Sequence, residues 1–585
     1  MAGRFAEQFH IQNYSTHGRI SGRLISVCMD HTKNTIILIQ PWVEDFYHTD
    51  CRTQPIGLAY LAASIRRRFQ NLDIVIYDVL SDGNKKSIPW PVEFHYLEPY
   101  YGSPDRGSFN LFHHYYRFGK SEEQIINDLS GLSPLLIGIS SLFTPYYRQS
   151  LAMALICKKI FPDVEIVMGG SHATMHPESL LNAEFKGIFL CDFILRGEAE
   201  DSICELIEAV LELRSFSDVT NLVTRESLIR SSDDKIADGA FRFPKSPDMN
   251  SLAIPEFPGL SEKDYTLKGR PMTFLITGRS CPHQCTFCSI HSVFGKKFRV
   301  RNAGSVIEEI KKRFNEGVRH FDIEDDNFTA NGKNAAAILN AVAEMNLPIT
   351  MSAMNGLSYH SLDENILELM KRAGFTSLNL SLVSSDKDIL SLSNRPHTVE
   401  KFKNIIRYAS ELDLPVTAYY ILGMPGQTIA EMLNTLFMLA GEQCLIGASP
   451  FYFTPGSPIH SLLKNDPSIK LASSGGDPYF SARLTAMDVE TIHFTREDIY
   501  TLFRLTRLIN HIKAGIDRDL NFSDAYFENA VSAVRSGQWY FENKNKVIAA
   551  PFSRKVFESL QCREILICGH RNSKSLRLDY KEFLP

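Results

Sequence analysis

A chain of 585 residues is too long for one hydrophobic core and predicts about two to four domains. Its 44% apolar and 22% charged residues are those of an ordinary globular protein, and a net charge of −5 argues against a general nucleic-acid binder. No apolar run approaches the roughly 20 residues that span a bilayer, and the polar start MAGRFAEQFHIQNYSTHGRI holds no secretory signal. Eleven cysteines, mostly scattered singly, do not read as a disulfide framework; they predict a reducing, cytoplasmic setting in which clustered thiols bind metal.

An N-terminal extension over 1–30 precedes a first α/β series over 31–213. NTIILIQP (34–41), LDIVIYDV (72–79), PLLIGISSL (134–142), VEIVMGGSH (164–172) and CDFILRGE (191–198) are apolar enough to be buried strands, with helical patterns between most of them. That alternation predicts a parallel sheet covered on both faces, a Rossmann-like unit with its ligand site at the carboxyl ends of the strands. The aromatic segment over 90–119 interrupts it and reads as a lid or a packing insertion. Residues 214–262, rich in Ser, Asp and Pro, read as a linker.

A second series over 263–484 has strands MTFLITG (272–278), HFDIEDD (320–326), PITMSAM (348–354), SLNLSLV (377–383), VTAYYILG (416–423) and CLIGASPFYF (444–453). A helix follows each of the first five. In SLDENILELMKRAG, Ser361 and Glu364 fit a capping box and Gly374 a terminating glycine. Six such units predict a (β/α)6 partial barrel whose chemistry sits at the C-terminal mouth of its strands. The strand signal fades after about residue 485, and 485–585 is expected to be a small, mainly helical domain.

Just after the first strand of this barrel stands GRSCPHQCTFCSIH, with Cys281, Cys285 and Cys288 spaced C-x3-C-x2-C. Zinc would want a fourth donor, His283 or His291, but so short a loop rarely bends four donors into a tetrahedron. An iron–sulfur cluster fits better, and three cysteines leave one iron of a cubane open to a substrate or cofactor.

C-x3-C-x2-C with Phe287 before the last cysteine, after the first strand of a (β/α)6 series, resembles the radical S-adenosylmethionine superfamily. The resemblance implies a [4Fe-4S] cluster whose open iron is chelated by the amino and carboxylate groups of S-adenosylmethionine, and a 5′-deoxyadenosyl radical that takes hydrogen from unactivated carbon. It also implies cofactor contacts at the ends of later strands. Glu324, Asp325 and Asp326 in IEDDNFT stand where the family holds the amino group; a solvated acidic turn is the plainer alternative. LVSSD places Val383 where cobalamin-using relatives have glutamate, with Ser384 matching their serine, and Arg395 in SNRPHT is a further contact. YYILGMPGQT matches the family's fifth-strand pattern, in which Gly423 allows close approach to the adenine. FTPGSPIHSLL (453–463) resembles the turn after the sixth strand.

The first unit has no G-x-G-x-x-G after its first strand, which counts against a dinucleotide. Its third, fourth and fifth strands end ISSLFTPYY, MGGSHATMHPE and ILRGEAE, similar to marks of the cobalamin-binding radical S-adenosylmethionine subfamily. The resemblance makes Ser140, Ser141, Leu142, Gly169, Gly170, Gly197 and Glu198 cobalamin contacts. The Asp-x-His-x-x-Gly that ligates cobalt in some relatives is missing, and His48 reads as a surface or packing histidine. Cys562, Cys568 and His570 offer donors for a second metal site, but CREILICGH reads as a buried strand with ordinary cysteines.

The family resemblance implies an enzyme that methylates an unactivated carbon, or phosphorus, of a small-molecule or peptide substrate. One S-adenosylmethionine would remethylate cob(I)alamin, another would generate the radical, and a flavodoxin- or ferredoxin-type donor would supply the low-potential electron. A radical cyclase or rearrangement enzyme without net methylation is the alternative within the superfamily. A corrinoid-binding sensor or carrier is the alternative from another class. No nucleic-acid partner and no membrane insertion are expected.

Overall fold

The computed structural model describes residues 34–47, 54–81, 83–101, 112–233, 244–261, 264–473, 476–517, 538–541 and 546–549. The extension over 1–30, His48 and the Cys562, Cys568 and His570 group lie outside the described residues.

Five parallel strands form the first sheet: β1 (Thr35–Gln40), β2 (Asp73–Asp78), β3 (Pro134–Ser140), β4 (Glu165–Gly169) and β5 (Phe193–Leu195). Their spatial order is β5-β4-β3-β1-β2, with residues Leu222–Val223 added antiparallel beyond β5. Every residue of β1 after Thr35 is buried, as a central strand covered on both faces requires. The order in which strands are laid down reverses between β1 and β3, so a crevice opens at their carboxyl ends, the usual ligand position in open α/β sheets. The linker lies along this unit: Pro258 accepts from the Ile76 N–H at 2.8 Å and Ala59 from the Glu256 N–H at 3.1 Å.

The aromatic insertion is a packing element in its described parts. Phe46 is ringed by Trp90, Phe94, Tyr101 and Tyr115 in edge contacts with centroids 4.9–5.5 Å apart. Tyr96 and Tyr101 then donate to the carbonyls of Ala486 and Thr485 at 2.6 and 2.7 Å, tying the first unit to the segment that follows the second.

The second unit has strands β6 (Arg270–Leu275), β7 (His320–Ile323), β8 (Thr350–Ser352), β9 (Leu378–Val383), β10 (Val416–Leu422) and β11 (Leu445–Pro450). They lie parallel in chain order as two groups, β6-β7-β8 and β9-β10-β11, bridged by Met351–Phe375 and Leu357–Leu380 into a curled half-barrel. Helices follow each of the first five strands, as the apolar periodicity predicts. One cap differs. Helix Glu364–Arg372 starts on Asp363, which accepts from the Ile366 N–H at 2.9 Å, while Ser361 donates to Ser358. Aspartate one residue from the helix outcompetes a serine three away.

The region after 485 contributes helix Arg496–Asp517 and a hairpin of Gln538–Phe541 with Lys546–Ala549. The helix packs on β11, and its Ile499, Leu502, Phe503 and Leu505 belong to the half-barrel core. Lys513 donates to the carbonyls of Leu439, Glu442 and Cys444, the first at the end of helix Ile429–Ala440. No helix among the described residues is long and apolar enough to cross a membrane.

Candidate active site

Beyond β6 the chain makes a two-stranded ribbon in which Gly278–Arg279 pairs antiparallel with Arg299–Val300. Residues 280–298 are therefore one long loop closed at its base, and all three cysteines lie in it. Ser280 enters at φ 70°, in the left-handed region, where its N–H donates to Asp326 at 3.0 Å and its hydroxyl to the Gly295 carbonyl at 2.5 Å. Across the barrel mouth the Thr286 N–H and hydroxyl donate to Ser393 and Leu392 at 3.2 and 2.9 Å. The Thr286 carbonyl accepts from the Ile459 N–H at 2.8 Å. The short helices after β9 and β11, Lys387–Leu392 and Pro458–Leu463, thus hold the cysteine loop in place.

Cys281, Cys285 and Cys288 are free thiols, partly exposed. Burial pushes Cys285 up and Cys288 up to about 11, so a cation is needed to hold them as thiolates. Among the described residues no three His, Cys, Asp or Glu side chains converge on one ion. A cluster takes each thiolate on its own iron. His291 Nε2 lies 2.8 Å from the Cys281 carbonyl and His283 Nε2 3.2 Å from the Ser358 hydroxyl. The donor set fits the cluster.

Of the three acids at the end of β7, Asp325 is spent on the fold. Its carboxylate accepts from the Thr277 N–H and hydroxyl at 2.6 and 2.5 Å, fixing the end of β6. Asp326 faces the cysteine loop through Ser280, and burial with the neighbouring Asp325 raises it to about 7. Glu324 donates its backbone N–H to Leu275 at 3.0 Å. Asn327, which the sequence reading missed, donates from Nδ2 to the Cys281 sulfur at 3.6 Å, and its buried Oδ1 has no partner. That oxygen and the Asp326 carboxylate suit an ammonium group. The only sequence signal for Asn327 is its place directly after the acidic run.

At the end of β9, Val383 sits at φ 78°, rare for a β-branched residue. Ser384 is fully buried, accepting from the Asp386 N–H at 3.1 Å and lying 3.3 Å from Thr435, which makes it a turn-holding residue. Ser381 instead accepts from Arg395 at 3.1 Å, and the buried Nε of Arg395 is left without a partner. Burial first, then the Arg395 charge, lowers His283 and takes His360 down to about 4. A guanidinium near Cys285 with its Nε–H still to be met suits a carboxylate. Phe287 packs partly buried against the half-barrel core. A Cβ on Gly423 would come 2.8 Å from Ile499, so helix Arg496–Asp517 uses that glycine's small size. Tyr452, also unnoticed in the sequence, is raised by burial and by Cys288 nearby.

In the first unit Ser141 and Gly170 meet at the strand ends. Gly170 has φ 108°, and a Cβ there would lie 2.7 Å from the Ser141 carbonyl oxygen. The Ser141 N–H donates to Gly169 at 2.7 Å, while its buried hydroxyl has no partner. The Ser140 carbonyl accepts from Ser150 at 2.9 Å. Leu142 and Phe143 stay 45% and 47% exposed. A pocket lined by Gln40, Trp42, Leu80, Ser140 and Leu142 opens in the crevice between β1 and β3. An apolar ledge with an unpaired hydroxyl beside it fits a corrinoid.

Glu198 does something else than expected. Its buried carboxylate is held by Arg279 at 2.5 Å and by Arg299, both from the half-barrel, so it is engaged across the two units. Two arginines already satisfy it. Gly197 donates its N–H to Thr174 at 2.8 Å and packs against Pro244.

The two ligand faces adjoin. Helix Ser171–Met175, directly after Gly170, packs against helix Ile290–Phe294, directly after the cysteines. Ser292 donates to the Gly456 carbonyl at 2.8 Å, and Met175 sulfur would lie 3.0 Å from a Cβ on Gly456.

Residues 275–439 match the radical SAM superfamily and residues 112–207 the B12 binding domain. Fold and site together define a radical S-adenosylmethionine enzyme with an attached corrinoid-binding unit. One chain thus carries a B12 binding domain followed by a radical SAM domain, the pairing that marks cobalamin-binding radical S-adenosylmethionine enzymes. Among curated relatives, cytidylyl-2-hydroxyethylphosphonate methyltransferase of Streptomyces wedmorensis is 24% identical over 453 residues, 72% of this chain and 79% of that one. The anaerobic magnesium-protoporphyrin IX monomethyl ester cyclase of Rubrivivax gelatinosus is 24% identical over 339 residues, 55% and 57% of the two chains. The fold is shared with the methyltransferase TsrM of Kitasatospora setae, at TM-score 0.56 and 15% identity over 77% of this chain and 85% of that one. It is shared too with the cobalamin-dependent enzyme OxsB, at TM-score 0.58 and 11% identity over 92% and 79%.

Proposed function

We propose that this enzyme is a cobalamin-dependent methyltransferase acting on an unactivated carbon, or on phosphorus, of a small-molecule or peptide substrate. The observation that carries the reading is the adjacency of the two ligand faces, with helix Ser171–Met175 seated on the helix that follows the cysteines. Group transfer between two cofactors needs such an arrangement, because reacting centres must meet in one enclosed space. When bound, the cluster with S-adenosylmethionine supplies one-electron hydrogen abstraction and the corrinoid supplies the methyl group.

The residues have separable tasks. Cys281, Cys285 and Cys288 hold the cluster; Asp326 and Asn327 take the ammonium of S-adenosylmethionine and Arg395 its carboxylate. Leu142, Phe143 and the Ser141 hydroxyl receive the corrinoid, with Gly169 and Gly170 keeping the backbone open beside them. Phe287 and Tyr452 shield the cysteine loop from water. The electron comes from a flavodoxin- or ferredoxin-type donor, in the cytoplasm.

The cyclase relative supports a second reading, ring closure without net methylation. Product stoichiometry separates them. A methyltransferase releases one S-adenosylhomocysteine and one 5′-deoxyadenosine per turnover; a cyclase releases 5′-deoxyadenosine without matching S-adenosylhomocysteine.

A further inference from the structure

Arg279 and Arg299 are directly opposite each other in the ribbon that closes the cysteine loop. Like charges at opposed positions of an antiparallel pair repel, so this pairing works against closure. Arg279 is buried and Arg299 largely so, with side chains 7% and 13% exposed, which withholds most of the water that would screen them.

The compensation comes from the other unit. Glu198 accepts from Arg279 Nη1 at 2.5 Å through one oxygen and from Arg299 Nη2 through the other, while Arg299 Nη1 lies 3.0 Å from the first oxygen. Glu200 accepts from Arg279 Nη2 at 2.5 Å. Two buried acids thus neutralise two buried arginines, and the Tyr60 ring lies 5.3 Å from the Arg279 guanidinium. Both acids follow β5, at the edge of the unit that carries the corrinoid ledge.

We propose that Glu198 is a keystone for the cysteine loop: by standing between Arg279 and Arg299 it keeps the loop base closed, so the corrinoid unit must be docked before residues 280–298 can hold a cluster. Arg279 is accordingly a positioning residue, two places before Cys281. The consequence for cluster retention rests on the proposed function; the closure itself does not.

The test uses full-length, metal-free protein, so that failure of the chemistry and failure of the closure are told apart. Backbone hydrogen exchange over 280–298 is measured for wild type, Glu198→Gln, Arg299→Gln and the double variant. Glu198→Gln leaves the two opposed arginines with Glu200 alone and no acid between them, and is expected to speed exchange in this segment about tenfold or more, with β1–β5 unchanged. Adding Arg299→Gln removes the repulsion and is expected to recover protection, a coupling that loss of a mere structural contact does not produce. Wild-type protection in Glu198→Gln, or a double variant no better than Glu198→Gln alone, overturns the proposal. If Glu198→Gln does not fold, recovery of folded protein in the double variant supports it and continued misfolding overturns it. A chelator challenge after reconstitution adds a second reading, with iron lost faster from Glu198→Gln than from the double variant.

Discussion

The amide of Asn327 donates to the sulfur of Cys281 across 3.6 Å, linking the end of the second barrel strand to a cysteine of the first loop. A donor to a cluster thiolate stabilises the more negative, reduced state and so raises the reduction potential. Asn327→Ala is expected to lower the potential by about 20–60 mV, the equivalent of one ordinary hydrogen bond. A potentiometric titration followed by electron paramagnetic resonance measures it. Because the unpaired Oδ1 goes too, S-adenosylmethionine affinity should fall in the same variant.

Leu142 and Phe143 separate binding from folding. Both are nearly half exposed, so their truncation should leave thermal stability within about 0.5 kcal/mol. If they form the corrinoid ledge, Leu142→Ser with Phe143→Ser should weaken hydroxocobalamin binding about 10- to 100-fold, the worth of one or two buried apolar side chains. Equilibrium dialysis against the corrinoid absorbance reads the change.

Gly170→Ala places a methyl group against the Ser141 carbonyl at a φ of 108°. The expected cost is about 1–3 kcal/mol. The strand ends should separate, so corrinoid retention falls more steeply than the melting temperature.

Asp78 gives a pH dependence of known sign. Burial raises it to about 6 from 3.8, despite hydrogen bonds from Tyr265, Leu80 and Gln40 that work the other way. Between those values the folded protein keeps a proton that the unfolded chain has released. Its contribution is therefore present below pH 3.8 and lost as pH rises through about 6. Asp78→Asn removes that loss, so its stability relative to wild type should improve by about 2–3 kcal/mol between pH 4 and pH 7. Denaturant titrations at both pH values check it.

What the sequence made legible was local. The strands, the helices between them and the cysteine loop rest on short-range apolar periodicity and spacing, and they stand where that pattern puts them. The pairing of Glu198 is not legible in the sequence because its partners, Arg279 and Arg299, are 81 and 101 residues away, and nothing in RGEAE announces a docking contact. Asp325 and Ser384 have the right chemistry for a cofactor, but Thr277, and Thr435 with Asp386, already occupy them. Asn327 carries no charge and no motif, so only folding shows that it reaches Cys281. The helix beginning at Arg496 is amphipathic in isolation; that its apolar face completes the half-barrel core is a tertiary fact.

The most direct test is the fate of the methyl group. Protein reconstituted anaerobically with iron, sulfide and hydroxocobalamin is given deuteromethyl S-adenosylmethionine, a low-potential reductant and a panel of small-molecule and peptide substrates, with Cys285→Ala as control. The account predicts a product carrying the deuteromethyl group, equal S-adenosylhomocysteine and 5′-deoxyadenosine, and neither product methylation nor deoxyadenosine from Cys285→Ala. Deoxyadenosine released by Cys285→Ala, or an unlabelled product formed without S-adenosylhomocysteine, would contradict it.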